Sequence, residues 1–143
     1  MTNPMLDIAR VRTALRGLDV RPTRAMGQNF LVDAPALAQI VAAGAVADVP
    51  CVVEVGPGLG VLTWELVQRA REVIAVELDK RLIARLHDEF RMAANLTLIN
   101  QDVLRTDPQL LTQGRAYHVV ANLPYAITSL VLRHFLLRPT TAV

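Results

Sequence analysis

The sequence predicts an α/β fold built on a parallel, doubly wound sheet, and two patterns predict it. Four short apolar segments alternate with segments whose apolar residues recur at helical spacing. Each apolar segment is followed by a glycine-rich or polar stretch, as expected where parallel strands end at a ligand site. The 143 residues, 52% of them apolar, suit one domain with a real core.

The elements follow in a regular order along the chain. Strands are predicted over residues 51–55, 73–76 (closing on Glu77), 96–99 and 117–121. Helices are predicted over residues 4–18, 61–70, 79–90 and 127–137. A further helix is predicted to begin after an N-cap at Asp33 and to end at about residue 46. The last residues, 140–143, have the composition of a strand that is beginning. A sheet that stopped at four strands would leave the fourth at an open edge.

Composition narrows the class of protein. No apolar run approaches the roughly 18 residues of a membrane span, and no signal-peptide core is visible. Cys51 is the one cysteine, which favours a core thiol in a reducing cytosol, and the three scattered histidines have no metal-ligand spacing. We therefore expect a cytoplasmic, monomeric protein with no metal and no membrane partner. Residues 1–25 are predicted to form a basic N-terminal helix and arm suited to nucleic-acid phosphates or to a solvated helix face; their arginines are Arg10, Arg12, Arg16, Arg21 and Arg24.

The loop after the first strand carries glycines at alternate positions, with Glu54 before them. Gly56, Gly58 and Gly60 permit a tight turn and close approach of the backbone to a ligand. Their spacing is not the Gly-x-Gly-x-x-Gly of dinucleotide folds, so a nicotinamide cofactor is disfavoured. Glu77, at the end of the second strand, can accept hydrogen bonds from both hydroxyls of a ribose.

Polar residues also follow the third and fourth strands. Asp102 can accept a hydrogen bond from an adenine amino group while Val103 packs on the ring, although Asp102 could instead cap a short helix. With the loop and Glu77, these residues predict a pocket for an adenosine-containing ligand. After the fourth strand, Asn122-Leu123-Pro124-Tyr125 is suited to an amino-bearing base, since amide and carbonyl oxygens accept from the amine and Tyr125 can stack on the ring.

Five ordered motifs together resemble the ribosomal RNA adenine N6,N6-dimethyltransferases that act on small-subunit RNA. They are residues 27–33 (GQNFLVD), 54–60 (EVGPGLG), 76–79 (VELD), 101–104 (QDVL) and 122–125 (NLPY), and the similarity runs from Arg21 onward. The resemblance implies a Rossmann-like class I methyltransferase fold with S-adenosylmethionine as methyl donor. The methyltransferase domain would occupy residues 26–143.

The resemblance also implies roles for particular residues. Gln28, Asn29 and Leu31 would line the methionine portion of the cofactor, above the backbone from Gly56 to Gly60 and beside Glu54. Glu77 would hold the ribose, and Asp102 the adenine amino group. Asn122 and the backbone of Leu123 and Pro124 would accept from the target amine, and Tyr125 would stack on its ring. The partner implied is small-subunit ribosomal RNA.

The family has further strands and a small helical C-terminal domain, so we expect this chain to be an incomplete methyltransferase. Two other functions stay open. Erythromycin-resistance methyltransferases, which modify an adenine in large-subunit RNA, are similar in several motifs. A non-catalytic RNA-binding or ribosome-assembly factor could keep the same fold without turnover.

Overall fold

The computed structural model describes residues 2–18 and 33–137 of the chain. Four parallel strands form its sheet: β1 (Cys51–Val55), β2 (Val73–Glu77), β3 (Leu96–Asn100) and β4 (Tyr117–Ala121). Six α-helices accompany them in this part of the chain: α1 (Ile8–Gly17), α2 (Ala34–Ala43), α3 (Val61–Arg69), α4 (Lys80–Glu89), α5 (Pro108–Thr112) and α6 (Tyr125–Leu136). Short 3₁₀ turns occupy Pro4–Leu6 and Val103–Arg105.

The strand order is β3-β2-β1-β4. The chain adds β2 and β3 on one side of β1 and then crosses over to add β4 on the other side, so the strand order reverses between β1 and β4. Val53 pairs with Ile74 of β2 on one side and with Val119 of β4 on the other. In open parallel sheets the crevice at such a reversal is where ligands bind. The predicted doubly wound sheet is therefore confirmed, and β4 lies at one edge of the four strands in the described part of the chain.

Helices cover both faces of this sheet. On one face, Val52, Val73 and Val120 pack with residues of α2 and α3 such as Leu37 and Leu66. On the other face, Val53, Val55 and Val76 pack with Val103 and with Val131 of α6. Because β1 and β2 are buried on both faces, they contain apolar residues at almost every position. Cys51 is fully buried at the start of β1, as predicted for a core thiol.

Most predicted boundaries match the structure, and the exceptions have local causes. The predicted 4–18 helix is split at Asp7, whose extended backbone and carboxylate cap α1 through the N–H groups of Ala9 and Arg10. Helix α2 ends at Ala43 rather than near residue 46, since Gly44 caps it and Ala45 has a left-handed φ of 43°. Helix α6 begins at Tyr125, two residues before the predicted start. The predicted strand at 140–143 lies outside the described residues.

One helix was not predicted from the sequence. Asp107 accepts a hydrogen bond from the backbone N–H of Gln109 and so caps α5, with Pro108 at its first position. An Asp-Pro pair is a recognisable helix start, but five residues are too few to display a helical period. In residues 2–18 and 33–137, no helix is long and apolar enough to cross a membrane.

Candidate active site

The carboxyl edge of the sheet collects the polar residues that the sequence singled out. Since the strands are parallel and adjacent, Asp102, Glu77, the glycine loop and Asn122 follow β3, β2, β1 and β4 in that order along one edge. With strands about 4.8 Å apart, this row extends over roughly 14 Å. The described part of the chain thus brings together all of the predicted site residues except three. Gln28, Asn29 and Leu31 lie outside the described residues.

The glycine loop turns sharply between β1 and α3. Gly56, Gly58 and Gly60 all have left-handed φ values, of 65°, 60° and 90°. A Cβ added at Gly56 would meet no atom of residues 2–18 or 33–137 within 4 Å, so this part of the chain leaves open space above the loop at that point. A Cβ at Gly60 would lie 2.5 Å from Cε2 of Phe90, so this glycine is required by packing beneath the loop. The loop therefore has a closely packed underside and, at Gly56, an open space in which a ligand would fit.

Glu77 joins the end of β2 to this loop. One carboxylate oxygen accepts a hydrogen bond from the backbone N–H of Gly58 at 3.2 Å, and the other accepts from the N–H of Asp79 at 3.1 Å. The side chain is only 8% exposed. Burial raises the pKa of Glu77, and the backbone N–H groups of Asp79, Gly58 and Leu78 oppose that rise. Glu77 thus holds the loop while its carboxylate stays at the carboxyl edge of the sheet.

Glu54 is the most deeply buried acid of the site, at 1% exposure. Its Oε2 accepts a hydrogen bond from the hydroxyl of Thr63 at 2.7 Å, in the first turn of α3. Burial raises the pKa of Glu54 to about 8; the Thr63 hydroxyl lowers it and the nearby Glu77 charge raises it further. Thr63 was not among the site residues predicted from the sequence. The available signal was a hydroxyl among the buried residues Val61, Leu62 and Leu66 of α3.

Asp102 caps the 3₁₀ turn Val103–Arg105, accepting a hydrogen bond from the N–H of Leu104 at 3.0 Å. This is the capping role that the sequence left open, and it uses Oδ1 of the carboxylate. The side chain is half-buried, whereas Val103 is buried among core residues below the edge. The cap fixes the direction of Asp102 at the end of β3.

The tetrapeptide after β4 forms the other end of the row. Asn122, Leu123 and Pro124 are half-buried, and Tyr125 is 93% exposed at the first position of α6. The carbonyl of Pro124 accepts hydrogen bonds from the N–H of Ile127 at 3.2 Å and the hydroxyl of Thr128 at 3.0 Å. Its lone pairs are thus occupied in starting α6. The carbonyl of Leu123 accepts no such backbone hydrogen bond from another described residue, which leaves its lone pairs open to an external donor.

The turn after α2 supports β4. Nδ1 of His118 lies 2.8 Å from the carbonyl oxygen of Gly44, to which it donates. A Cβ at Gly44 would lie 2.9 Å from Cγ2 of Val120, so this contact depends on a glycine. The strand before the tetrapeptide is therefore fixed from β1 and from α2. Among the described residues, His, Cys, Asp and Glu form no group that could hold a metal ion.

Solved structures with the same arrangement define the class of protein. The chain aligns with the 23S rRNA methyltransferase ErmE at a TM-score of 0.68 and 34% identity, covering 78% of this chain and 44% of that one. A dimethyladenosine transferase from Plasmodium falciparum aligns at a TM-score of 0.62 and 24% identity, over 76% of this chain and 38% of that one. The fold is the Rossmann-like class I fold of S-adenosylmethionine-dependent methyltransferases.

Sequence comparison identifies the family. The model of the ribosomal RNA adenine dimethylase family matches residues 21–143, and the chain belongs to that family. Ribosomal RNA small subunit methyltransferase A of Dehalococcoides mccartyi strain 195 is 45% identical over 130 residues, 90% of this chain and 45% of the relative. The protein of that name from Ligilactobacillus salivarius is 38% identical over 144 residues, 95% of this chain and 49% of the relative. The chain spans about half the length of these curated relatives.

Proposed function

We propose that this chain is the cofactor- and base-binding part of an S-adenosylmethionine-dependent adenine N6-methyltransferase that acts on small-subunit ribosomal RNA. The observation that carries the proposal is the order of groups along the carboxyl edge. An adenine acceptor (Asp102), a ribose acceptor (Glu77), the glycine loop and an amine acceptor (Asn122) stand in the order in which adenosine, methionine and a target base would lie.

The residues present fit this cofactor. The open space above Gly56 permits close approach of a ligand to the backbone, and the carboxylate of Glu77 is held at the edge of the sheet next to it. Asp102 would accept from the adenine amine with the carboxylate oxygen that its cap does not use. Gln28, Asn29 and Leu31 are proposed to contact the methionine portion, with Glu54 below. When bound, S-adenosylmethionine supplies an electrophilic methyl group on a sulfonium.

The tetrapeptide is proposed to prepare the amine for attack. The lone pair of the adenine amine is delocalised into the ring, and acceptors that draw its hydrogens out of the ring plane restore nucleophilicity. The side-chain oxygen of Asn122 and the carbonyl of Leu123 would act in this way, while Pro124 sets the backbone and starts α6. Tyr125, exposed at the first turn of α6, would stack on the base.

Methyl transfer also requires that the amine be aligned with the methyl group and that the RNA base reach the site. The tetrapeptide would hold the amine nitrogen in line with the methyl group that the bound cofactor supplies, and the proton that the methylated amine gives up would pass to water. No strong base is needed before attack. A base within RNA structure would be splayed out to reach the edge of the sheet.

Two observations favour small-subunit RNA over the alternatives. The curated relatives at 38–45% identity are named for the small subunit, whereas the large-subunit enzyme ErmE is 34% identical. The four groups of the row are all present, which favours catalysis over a non-catalytic assembly factor. We also infer that the protein acts as a monomer in the cytoplasm, where the ribosome is assembled.

The test has a cofactor arm and an acceptor arm. Calorimetric titration should show that S-adenosylmethionine binds the chain more tightly than NAD does, and the reverse order would overturn the cofactor assignment. In a single-turnover assay with radiolabelled cofactor, Asn122→Ala should lose methyl transfer to small-subunit RNA while cofactor affinity stays within about twofold. Gln39→Ala, which removes an exposed amide on α2, is the matched control. Transfer that survives Asn122→Ala, or that prefers large-subunit RNA, would refute the acceptor or the substrate.

A further inference from the structure

Positive charge is concentrated on two neighbouring helices outside the row of site residues. Residues 7–18 and 79–91, which contain α1 and α4, carry seven arginines and lysines against four acids. The other described residues carry five cations against eight acids, an excess of the opposite sign. The net charge of the described chain is therefore strongly polarised toward this helix pair.

The two helices run antiparallel, and their contacts fix which end is which. Nη1 of Arg81, at the start of α4, donates to the carbonyl of Leu18 at 3.1 Å, just beyond the end of α1. At the other end, Arg10 of α1 forms an ion pair with Glu89 of α4. Because α4 begins directly after Glu77, the end with Arg81 is the one at the carboxyl edge of the sheet.

The acids are divided unevenly between the two ends, whereas cations lie at both. Asp7, Asp88 and Glu89 lie at the end remote from the site, and Asp79 is held by Arg81 at 2.8 Å. Arg12, Arg16 and Lys80 are exposed, and no ion pair joins them to another described residue. Arg12 and Arg16 lie four residues apart on one face of α1, and Lys80 precedes the Arg81 that contacts the end of α1. These three residues are called the cationic surface below.

Helix stability does not account for this placement. A cation in the last turn of a helix is favoured by the macrodipole, which would explain Arg16 alone. Lys80 occupies the first position of α4, where the dipole disfavours a cation, and Arg12 lies in the middle of α1. The arrangement therefore fits an external anion better than it fits the stability of either helix.

The partner that this surface fits is a polynucleotide rather than a lipid surface. Membrane-binding basic helices insert an apolar face. In α1 that face is already used, since Val11, Ala14 and Leu15 are buried against Leu59 and Leu82. The exposed large apolar side chains near these cations, Ile8 and Leu78, are two separate residues on different segments and form no inserting face. The exposed guanidinium and ammonium groups are therefore suited to backbone phosphates.

We propose that Arg12, Arg16 and Lys80 bind the phosphate backbone of the substrate RNA at a site separate from the base pocket. The inference rests on the proposed function for the identity of the RNA. Leu59 lies in the glycine loop and packs against the same helices, so RNA bound there is held next to the cofactor loop. The surface contacts no base, and it orients RNA independently of sequence.

The experiment measures RNA affinity as a function of salt. Each phosphate contact adds about 0.9 to the slope of log Kd plotted against the logarithm of the salt concentration. One contact therefore makes binding roughly eightfold tighter at ~0.1 M salt than at 1 M salt. For a small-subunit RNA hairpin, Arg12→Gln/Arg16→Gln should lower the slope by about 2 and weaken binding roughly fifty-fold at ~0.1 M salt. Lys80→Gln should lower the slope by about 1.

The matched control is Arg71→Gln/Arg133→Gln, which removes the same charge from two exposed arginines outside residues 7–18 and 79–91. Its slope should equal that of the unaltered chain. An unchanged slope in Arg12→Gln/Arg16→Gln, or an equal loss in the control, would overturn the proposal. Tighter binding to phosphatidylglycerol vesicles than to RNA would overturn it too.

Cofactor titration separates this inference from the proposed function. Arg12→Gln/Arg16→Gln should bind S-adenosylmethionine within about twofold of the unaltered chain and unfold at the same urea concentration. If the chain binds RNA through the cationic surface but not the cofactor, the methyltransferase proposal fails and the surface stands. If the chain binds the cofactor and the salt dependence of its RNA affinity does not change when these arginines are replaced, the cationic-surface proposal fails and the methyltransferase proposal stands.

Discussion

Replacing Gly60 by alanine should destabilise the chain much more than the same change at Gly56, although both residues have left-handed φ values, of 90° and 65°. The backbone strain of about 1–2 kcal/mol is common to both sites. At Gly60 the new Cβ would also lie 2.5 Å from Cε2 and 3.0 Å from Cζ of Phe90, and 3.1 Å from Cδ2 of Leu86. Overpacking of this kind costs about 1–3 kcal/mol. The expected losses are about 2–5 kcal/mol for Gly60→Ala and about 1–2 kcal/mol for Gly56→Ala.

Urea unfolding followed by circular dichroism measures both free energies. The change in the unfolded state is the same for the two substitutions and cancels in the comparison. A double-mutant cycle isolates the clash: in a Phe90→Leu background the ring atoms are gone, so Gly60→Ala should cost at least about 1 kcal/mol less. Equal costs at the two glycines, or no coupling to Phe90, would refute the packing argument. Gly56→Ala should instead weaken cofactor binding, because its Cβ enters the open space above the loop.

Three further predictions concern the buried carboxylates. Since the pKa of Glu54 is raised from 4.5 to about 8 in the folded state, the folded chain binds this proton more tightly, and the free energy of unfolding should fall as pH rises from about 4.5 to 8. Glu54→Gln should flatten that decline in urea titrations at several pH values; an unchanged slope would contradict the assignment. Thr63→Val should cost about 1–3 kcal/mol of stability by leaving Glu54 unpaired, and Thr63→Ser should restore most of it. Glu77→Gln should weaken S-adenosylmethionine roughly tenfold by calorimetry, and a 2′-deoxy analogue should lose less from the substitution than the parent cofactor does.

Much of the fold could be predicted because its signals are local. Strands β1 and β4 have the predicted bounds, since each apolar run is bordered by a polar or glycine-rich stretch. The position of the motifs at one edge follows from parallel pairing, because parallel strands end on the same side of the sheet, whereas the strand order β3-β2-β1-β4 was not predicted. The family motifs also indicated a cofactor, which stays a proposal, and the family match confirms the membership that they indicated.

Contacts between distant residues could not be predicted in the same way. The hydrogen bond from the N–H of Gly58 to the carboxylate of Glu77 forms because the glycine loop turns back toward the end of β2. No residue spacing in the sequence indicates how far the loop turns. Similarly, the pairing of Glu54 with Thr63 depends on the height at which α3 crosses the sheet. The end of α2 was misplaced because the apolar pattern continues to Val46, while the backbone turns at Gly44 and Ala45.

The strand order also predicts the sequence in which the sheet assembles. Val53 pairs with Ile74 across a connection of about 20 residues, but with Val119 across about 65, and closing the longer loop costs about 1 kcal/mol more. We therefore expect β1, β2 and β3 to associate first and β4 to dock afterwards. Amide protons of β4, at the sheet edge, should exchange with solvent sooner than those of β1. The strand that leads into the proposed amine-binding residues would then be the last to form and the first to open.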